Sequence, residues 1–81
     1  TDSDSRTRAL AARALGYLRD LDGAGSLLPI LDDPSAEVRL HALRSLDRVA
    51  PELAARELAT SRLSGEIDER VLRVENRIRA R

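Results

Sequence analysis

The sequence predicts an all-α protein of about five helices, and three observations carry that prediction. Apolar residues recur at three- and four-residue spacing along the whole chain, and no stretch alternates as a strand would. Gly23, Pro34, Pro51 and Gly65 divide the periodic stretches at short intervals. Finally, the chain repeats. A shift of 31 residues lays Asp2, Arg8, Ala11, Arg13, Leu15 and Leu18 on Asp33, Arg39, Ala42, Arg44, Leu46 and Val49, with Thr7 on the β-branched Val38.

The first helix is expected from about Asp4 to Leu21, stopping before Asp22-Gly23. The second is short, roughly Ala24 to Leu31. Either it bends at Pro29, or it begins only at Ser26 and carries Pro29 in its first turn. The third runs from about Ser35 to Val49. The fourth starts at Pro51, where the missing N–H costs nothing, and ends near Leu63. The fifth runs from about Glu66 toward Arg81, with Ile67, Val71, Val74 and Ile78 forming one apolar stripe.

On a helical wheel the third helix gathers Val38, Ala42, Leu46 and Val49 on one face, with Leu43 at its edge and Glu37, His41, Arg44 and Arg48 opposite. Arg39 falls within the apolar face, where a charge needs a partner. Asp33 is the expected partner, and by the same argument Arg8 pairs with Asp2.

The stretch Leu31-Asp32-Asp33-Pro34-Ser35-Ala36-Glu37-Val38-Arg39, followed by Ala42, Leu43 and Leu46, resembles the HEAT-repeat signature. The resemblance implies a short right-handed α-solenoid, HEAT- or armadillo-like, in which Asp33, Val38 and Arg39 are the motif's Asp, Val and Arg. Asp2 and Arg8 take those roles in the preceding copy. In the last copy Ser64 and Glu69 replace Asp and Val, so that only Arg70 matches. The implied organisation is a single domain over residues 1–81. Residues 1–22 are the second helix of a truncated repeat, 23–50 a complete repeat and 51–81 a C-terminal capping repeat.

That register makes the first helix unusual. Leu10, Tyr17 and Leu21 lie on an arc whose equivalents one repeat later are His41, Arg48 and Glu52, polar where the first copy is apolar. A terminal repeat should instead show a polar outer face. Either the second helix covers this arc, or upstream repeats, another protein or a second copy of the chain do, so Leu10, Tyr17 and Leu21 are the candidate interaction surface. Thr rather than Met at position 1 is the expected mark of a processed, trimmed or partial chain.

Composition excludes several classes of function. With 42% hydrophobic residues the chain is apolar enough to fold. Its core must be Leu, Val, Ile and Ala, because Phe, Trp and Met are absent and Tyr17 is the single aromatic. Without Cys there is no disulfide, thiol chemistry or cysteine metal site. No apolar run reaches the roughly 18 residues of a membrane span, and a cytoplasmic location is expected. All 14 basic residues are Arg, the same number as the acids, and a neutral chain argues against a general nucleic-acid binder.

No catalytic constellation emerges. His41, the one histidine, sits among arginines, which lower its affinity for protons and metal. Asp32-Asp33 brings too few oxygens together for calcium. Gly23-Ala24-Gly25-Ser26 lacks the lysine and spacing of a phosphate-binding loop and reads as a turn. No cofactor is expected. Charge is nevertheless uneven. Residues 1–37 hold seven acids against four arginines, and residues 70–81 five arginines against one acid. Arg70, Arg73, Arg77 and Arg81 form a stripe. It is either an anion-binding edge or a solvated face whose arginine stems shield apolar neighbours. The expected function is a non-catalytic protein-interaction or scaffold module at the end of a longer helical array. A nucleic-acid or anion-binding domain using the stripe, or an accessory domain of a larger enzyme, is the alternative.

Overall fold

The computed structural model describes residues 4–18, 21–60 and 65–81. It contains five α-helices: α1 (Ser5–Leu18), α2 (Leu21–Leu27), α3 (Ala36–Val49), α4 (Pro51–Ala59) and α5 (Glu69–Ala80), with a 3-10 turn over Pro29–Asp32 after α2. No strand occurs among the described residues.

α3 is the hub. It packs on α1 and α5 and also meets α2, the 3-10 turn and α4. The molecule measures 34 × 28 × 17 Å across its Cα atoms. The shortest dimension suits two helix layers with axes about 8–10 Å apart. The core is aliphatic: Leu27, Leu31, Val38, Leu43, Leu46 and Val71 are essentially sealed from solvent.

Helix ends follow from local chemistry, with several departures from expectation. Gly23 and Gly25 do not end α1. They lie inside α2, where buried Gly23, Ala24 and Leu27 pack inward. A Cβ at Gly23 would lie 3.4 Å from the Leu15 side chain, an ordinary contact distance, so Gly23 sits in the α1–α2 contact despite glycine's poor helix propensity. Residues 19–20 lie outside the described residues. Pro29 divides the expected second helix. α2 stops at Leu27 and the chain continues as a 3-10 turn with Pro29 at its start. The far end of the expected fourth helix, residues 61–64, is outside the described residues, and α4 itself ends at Ala59.

α5 starts at Glu69 rather than Glu66, because the Asp68 carboxylate caps it by accepting from the amides of Arg70 (2.9 Å) and Val71 (3.4 Å). Ile67 therefore leaves the apolar stripe. It precedes the helix and is 86% exposed, whereas Val71, Val74 and Ile78 are buried.

Candidate functional site

Two arginine–carboxylate clamps join successive repeats. Arg8 of α1 makes a two-pronged contact with Asp33, Nε to Oδ2 at 2.8 Å and Nη2 to Oδ1 at 3.0 Å. Arg39 of α3 does the same with Glu66, Nε to Oε1 at 2.8 Å and Nη2 to Oε2 at 3.0 Å. Each carboxylate also ties its own turn, Asp33 accepting from the Ser35 amide and Glu66 from the Asp68 amide, both at 2.9 Å. Hydrogen bonding to Arg8 holds the Asp33 carboxyl below its ordinary range against the opposing effect of burial, and Arg39 does the same for Glu66.

This corrects the expected carboxylate pairing of Arg39. Arg39 touches Asp33 through the backbone carbonyl (Nη1 to O, 2.9 Å), and its carboxylate partner is Glu66 of the following repeat. Arg8 reaches forward to Asp33, and Asp2 lies outside the described residues. The third copy is also re-registered. Glu66 stands where Asp33 stands one repeat earlier, a step of 33 residues rather than 31. On that step Val71, not Glu69, matches Val38, and Leu72, not Arg70, matches Arg39. Ser64 lies outside the described residues. Arg70 is a half-exposed residue bonded to Glu37 (2.7 Å) and Asp68.

With both steps known, the helix faces align across repeats. The α5 residues Val71, Val74, Glu75 and Ile78 are buried. Their α3 equivalents, Val38, His41, Ala42 and Ser45, are buried or nearly so. Ser45 lies against α1, its hydroxyl donating to the Ala12 carbonyl at 2.7 Å. Gly16 permits that approach, since a Cβ there would lie 2.7 Å from the Ser45 Cβ and 2.9 Å from its Cα. The α1 equivalents, Thr7, Leu10, Ala11 and Ala14, are all exposed. Leu10 is 61%, Tyr17 60% and Leu18 71% exposed. Of the candidate surface, then, Leu10 and Tyr17 face solvent, and the second helix does not cover them. The Leu21 side chain is outside the described residues. Sequence reading placed Ala11, Leu15 and Leu18 toward the core. Instead Ala9, Ala12 and Gly16 face α3, Leu15 is half-buried, and Ala11 and Leu18 are open.

The opposite side of the stack is polar. The α1 positions Ala9, Ala12 and Gly16 recur in α3 as Leu40, Leu43 and Asp47, and in α5 as Arg73, Asn76 and Ala80, which are exposed.

The C-terminal arginine stripe is largely neutralised. Arg70 bonds Glu37 and Asp68, and Arg81 bonds both oxygens of Asp47 and the Pro51 carbonyl. Arg73 lies 3.9 Å from Glu69, and among the described residues Arg77 is the one member of the stripe with no carboxylate within 4.0 Å. Among the described residues Arg13, Arg44 and Arg48 have no carboxylate within 4.0 Å. Arg13 and Arg48 flank the Tyr17 ring at 5.7 and 4.8 Å, and Arg44 lines the same depression. Hydrogen bonding to Arg13, then the charges of Arg13 and Arg48, hold the Tyr17 phenol below its ordinary range. His41 bonds Glu37 at 3.1 Å. Among the described residues no three metal-ligating side chains converge, and no helix is long and apolar enough to cross a membrane.

Sequence reasoning passed over Gly16, Glu66 and Glu75. A glycine inside a strong helix was a usable signal for Gly16. For Glu75, now 1% exposed, its place between Val74 and Ile78 was the signal. A family model for HEAT repeats matches residues 1–75. No curated protein and no solved structure matches the chain.

Proposed function

The chain belongs to the HEAT-repeat family, and on that premise we propose that it is a non-catalytic protein-interaction and scaffold segment of a longer helical array. HEAT repeats generally act by shape, stacked hairpins presenting a continuous surface to a protein partner. One observation supports the finer reading. The α1 face formed by Thr7, Leu10, Ala11 and Ala14 is open, while the equivalent faces of α3 and α5 are buried on a preceding helix. Its occupant is the second helix of another repeat of the same kind. Residues 1–22 then act as half of a repeat, 23–50 as a complete one and 51–81 as the cap, with the polar Arg73/Asn76 face outermost.

The test uses the 81-residue chain alone. Without a neighbouring repeat, the open α1 face should pair two copies. Molar mass by light scattering should rise with concentration, and Leu10→Glu with Leu18→Glu should return monomers of unchanged helicity. A chain that stays monomeric at every concentration, with the double variant indistinguishable from it, would contradict the assignment.

A further inference from the structure

We propose that a row of unneutralised arginines crossing α1, α3 and α5 is a binding groove for an extended acidic peptide of a protein partner. The proposal deepens the interaction-module reading and rests on it. The row is built into the repeat. Arg13, Arg44 and Arg77 occupy the same position of α1, α3 and α5, 31 and then 33 residues apart, the steps that also align the clamps. Arg48 adds a fourth cation one turn beyond Arg44.

The chain holds as many acids as arginines, yet among the described residues none of these four has a carboxylate within 4.0 Å. Among the described residues, Arg6, Arg8, Arg39, Arg70, Arg73, Arg79 and Arg81 each have a carboxylate within 4.0 Å. Of the five that do not, only Arg56, on α4, lies outside the row. The α3 carboxylates that could neutralise it are engaged elsewhere, Glu37 by Arg70 and His41, and Asp47 by Arg81.

The surface there is indented. One depression of about 200 Å³ is lined by Arg13, Tyr17, His41, Arg44, Ser45 and Arg48. Its neighbour, about 360 Å³, is lined by Arg44, Asp47, Arg48, Val74 and Arg77. Arg44 and Arg48 line both, so the two depressions are neighbours and together their linings span α1, α3 and α5. The Tyr17 ring, with Arg48 at 4.8 Å and Arg13 at 5.7 Å, holds two of the guanidinium groups in place before any ligand arrives. That lowers the ordering cost of binding.

The dimensions favour a peptide. Packed helices lie about 8–10 Å apart, and a peptide in the extended polyproline II conformation returns residues i and i+3 to the same face about 9 Å apart. Carboxylates at every third position would therefore meet Arg13, Arg44 and Arg77 in turn, and the planar guanidinium fork matches carboxylate geometry. A nucleic-acid duplex needs many phosphate contacts for useful affinity. A groove with four arginines in a chain of zero net charge, whose one aromatic ring is already flanked by arginines, offers few.

The test is fluorescence anisotropy on the 81-residue chain, using a labelled Asp/Glu-rich peptide, the same peptide with Asn and Gln in place of the acids, and labelled duplex DNA. The acidic peptide should bind in low salt, weaken as salt rises and lose about tenfold in affinity, about 1.4 kcal/mol, in an Arg44→Glu/Arg48→Glu variant. Arg56→Glu should leave it unchanged. Equal binding of the Asn/Gln peptide, equal loss in the Arg56 variant, tighter binding of the duplex, or no binding in low salt would overturn the proposal. Failure here with Leu10/Leu18-dependent self-association intact removes the groove and leaves the module; failure of both removes the module reading as well.

Discussion

The Arg39 clamp shows how a charge becomes structural. Glu66 is 2% exposed at its side chain, so removing Arg39 would strand a buried carboxylate and leave the Asp33 and Pro34 carbonyls without that donor. Arg39→Ala should cost about 3 kcal/mol in urea unfolding. Arg44→Ala, with no carboxylate to strand, should change stability by less than about 0.5 kcal/mol. Glu75 is the opposite case. It is buried against α3, its Oε1 takes Arg79 at 3.3 Å, and its Oε2 has no partner. Desolvation pushes its carboxyl above the ordinary range.

The two kinds of carboxyl act with opposite sign on stability. Asp33 and Glu66 are held low, so their contribution is present above the ordinary carboxylate range and is lost as pH falls through their folded values. Glu75 is held high, so the wild-type chain loses stability as pH rises from the ordinary range through its folded value. Glu75→Gln should therefore be more stable than wild type at neutral pH, by about 1 kcal/mol for an unsatisfied buried group. The gap should close as pH is lowered into the range where Glu75 takes up its proton, which thermal melts across pH will read.

Between helices, the decisive contact is the approach of α1 to α3 over Gly16. Alanine is the better helix former by about 1 kcal/mol, but here its methyl would meet the Cβ and Cα of Ser45. Backbone cannot yield as a flexible side chain would. Gly16→Ala should therefore destabilise by about 1–3 kcal/mol despite its propensity gain. Gly25→Ala is the matched control. It is exposed in α2 with nothing within 4 Å of the added methyl, and it should stabilise by about 0.5–1 kcal/mol. Chemical denaturation of the pair separates helix propensity from interhelical packing.

At the level of the molecule, α3 is enclosed by every other element, while α1 lies at one side of the stack and α5 at the other. The backbone amides of α3 should exchange slowest with deuterium, near the global unfolding limit, and those of α1 faster, because α1 leaves its Leu10/Leu18 face open. The two sides differ in chemistry as well. Leu10, Ala11 and Ala14 present small and aliphatic groups; Arg73 and Asn76 present polar ones.

Helical class, the number of helices and the repeat were legible in the sequence because period and punctuation are local properties of the chain. The helical wheel located Val38, Ala42 and Leu46 in the core correctly, since a single amphipathic helix encodes which of its faces is apolar. What sequence could not locate was the partner across a helix–helix boundary. Arg39 has an acid six residues before it and another 27 residues after it. Only the stacking of α5 on α3 puts the second carboxylate at the guanidinium. The same stacking shows that the third step is two residues longer, with the acid's role at Glu66 and Arg70 at the surface. Burial of Ser45, Gly16 and Glu75, exposure of Leu18 and Ile67, and the alignment of Arg13, Arg44 and Arg77 were likewise decided by tertiary structure. An apolar stripe says that a helix face seeks cover, but which neighbour covers it, and which charges that neighbour brings, depends on distances between segments that are far apart in the chain.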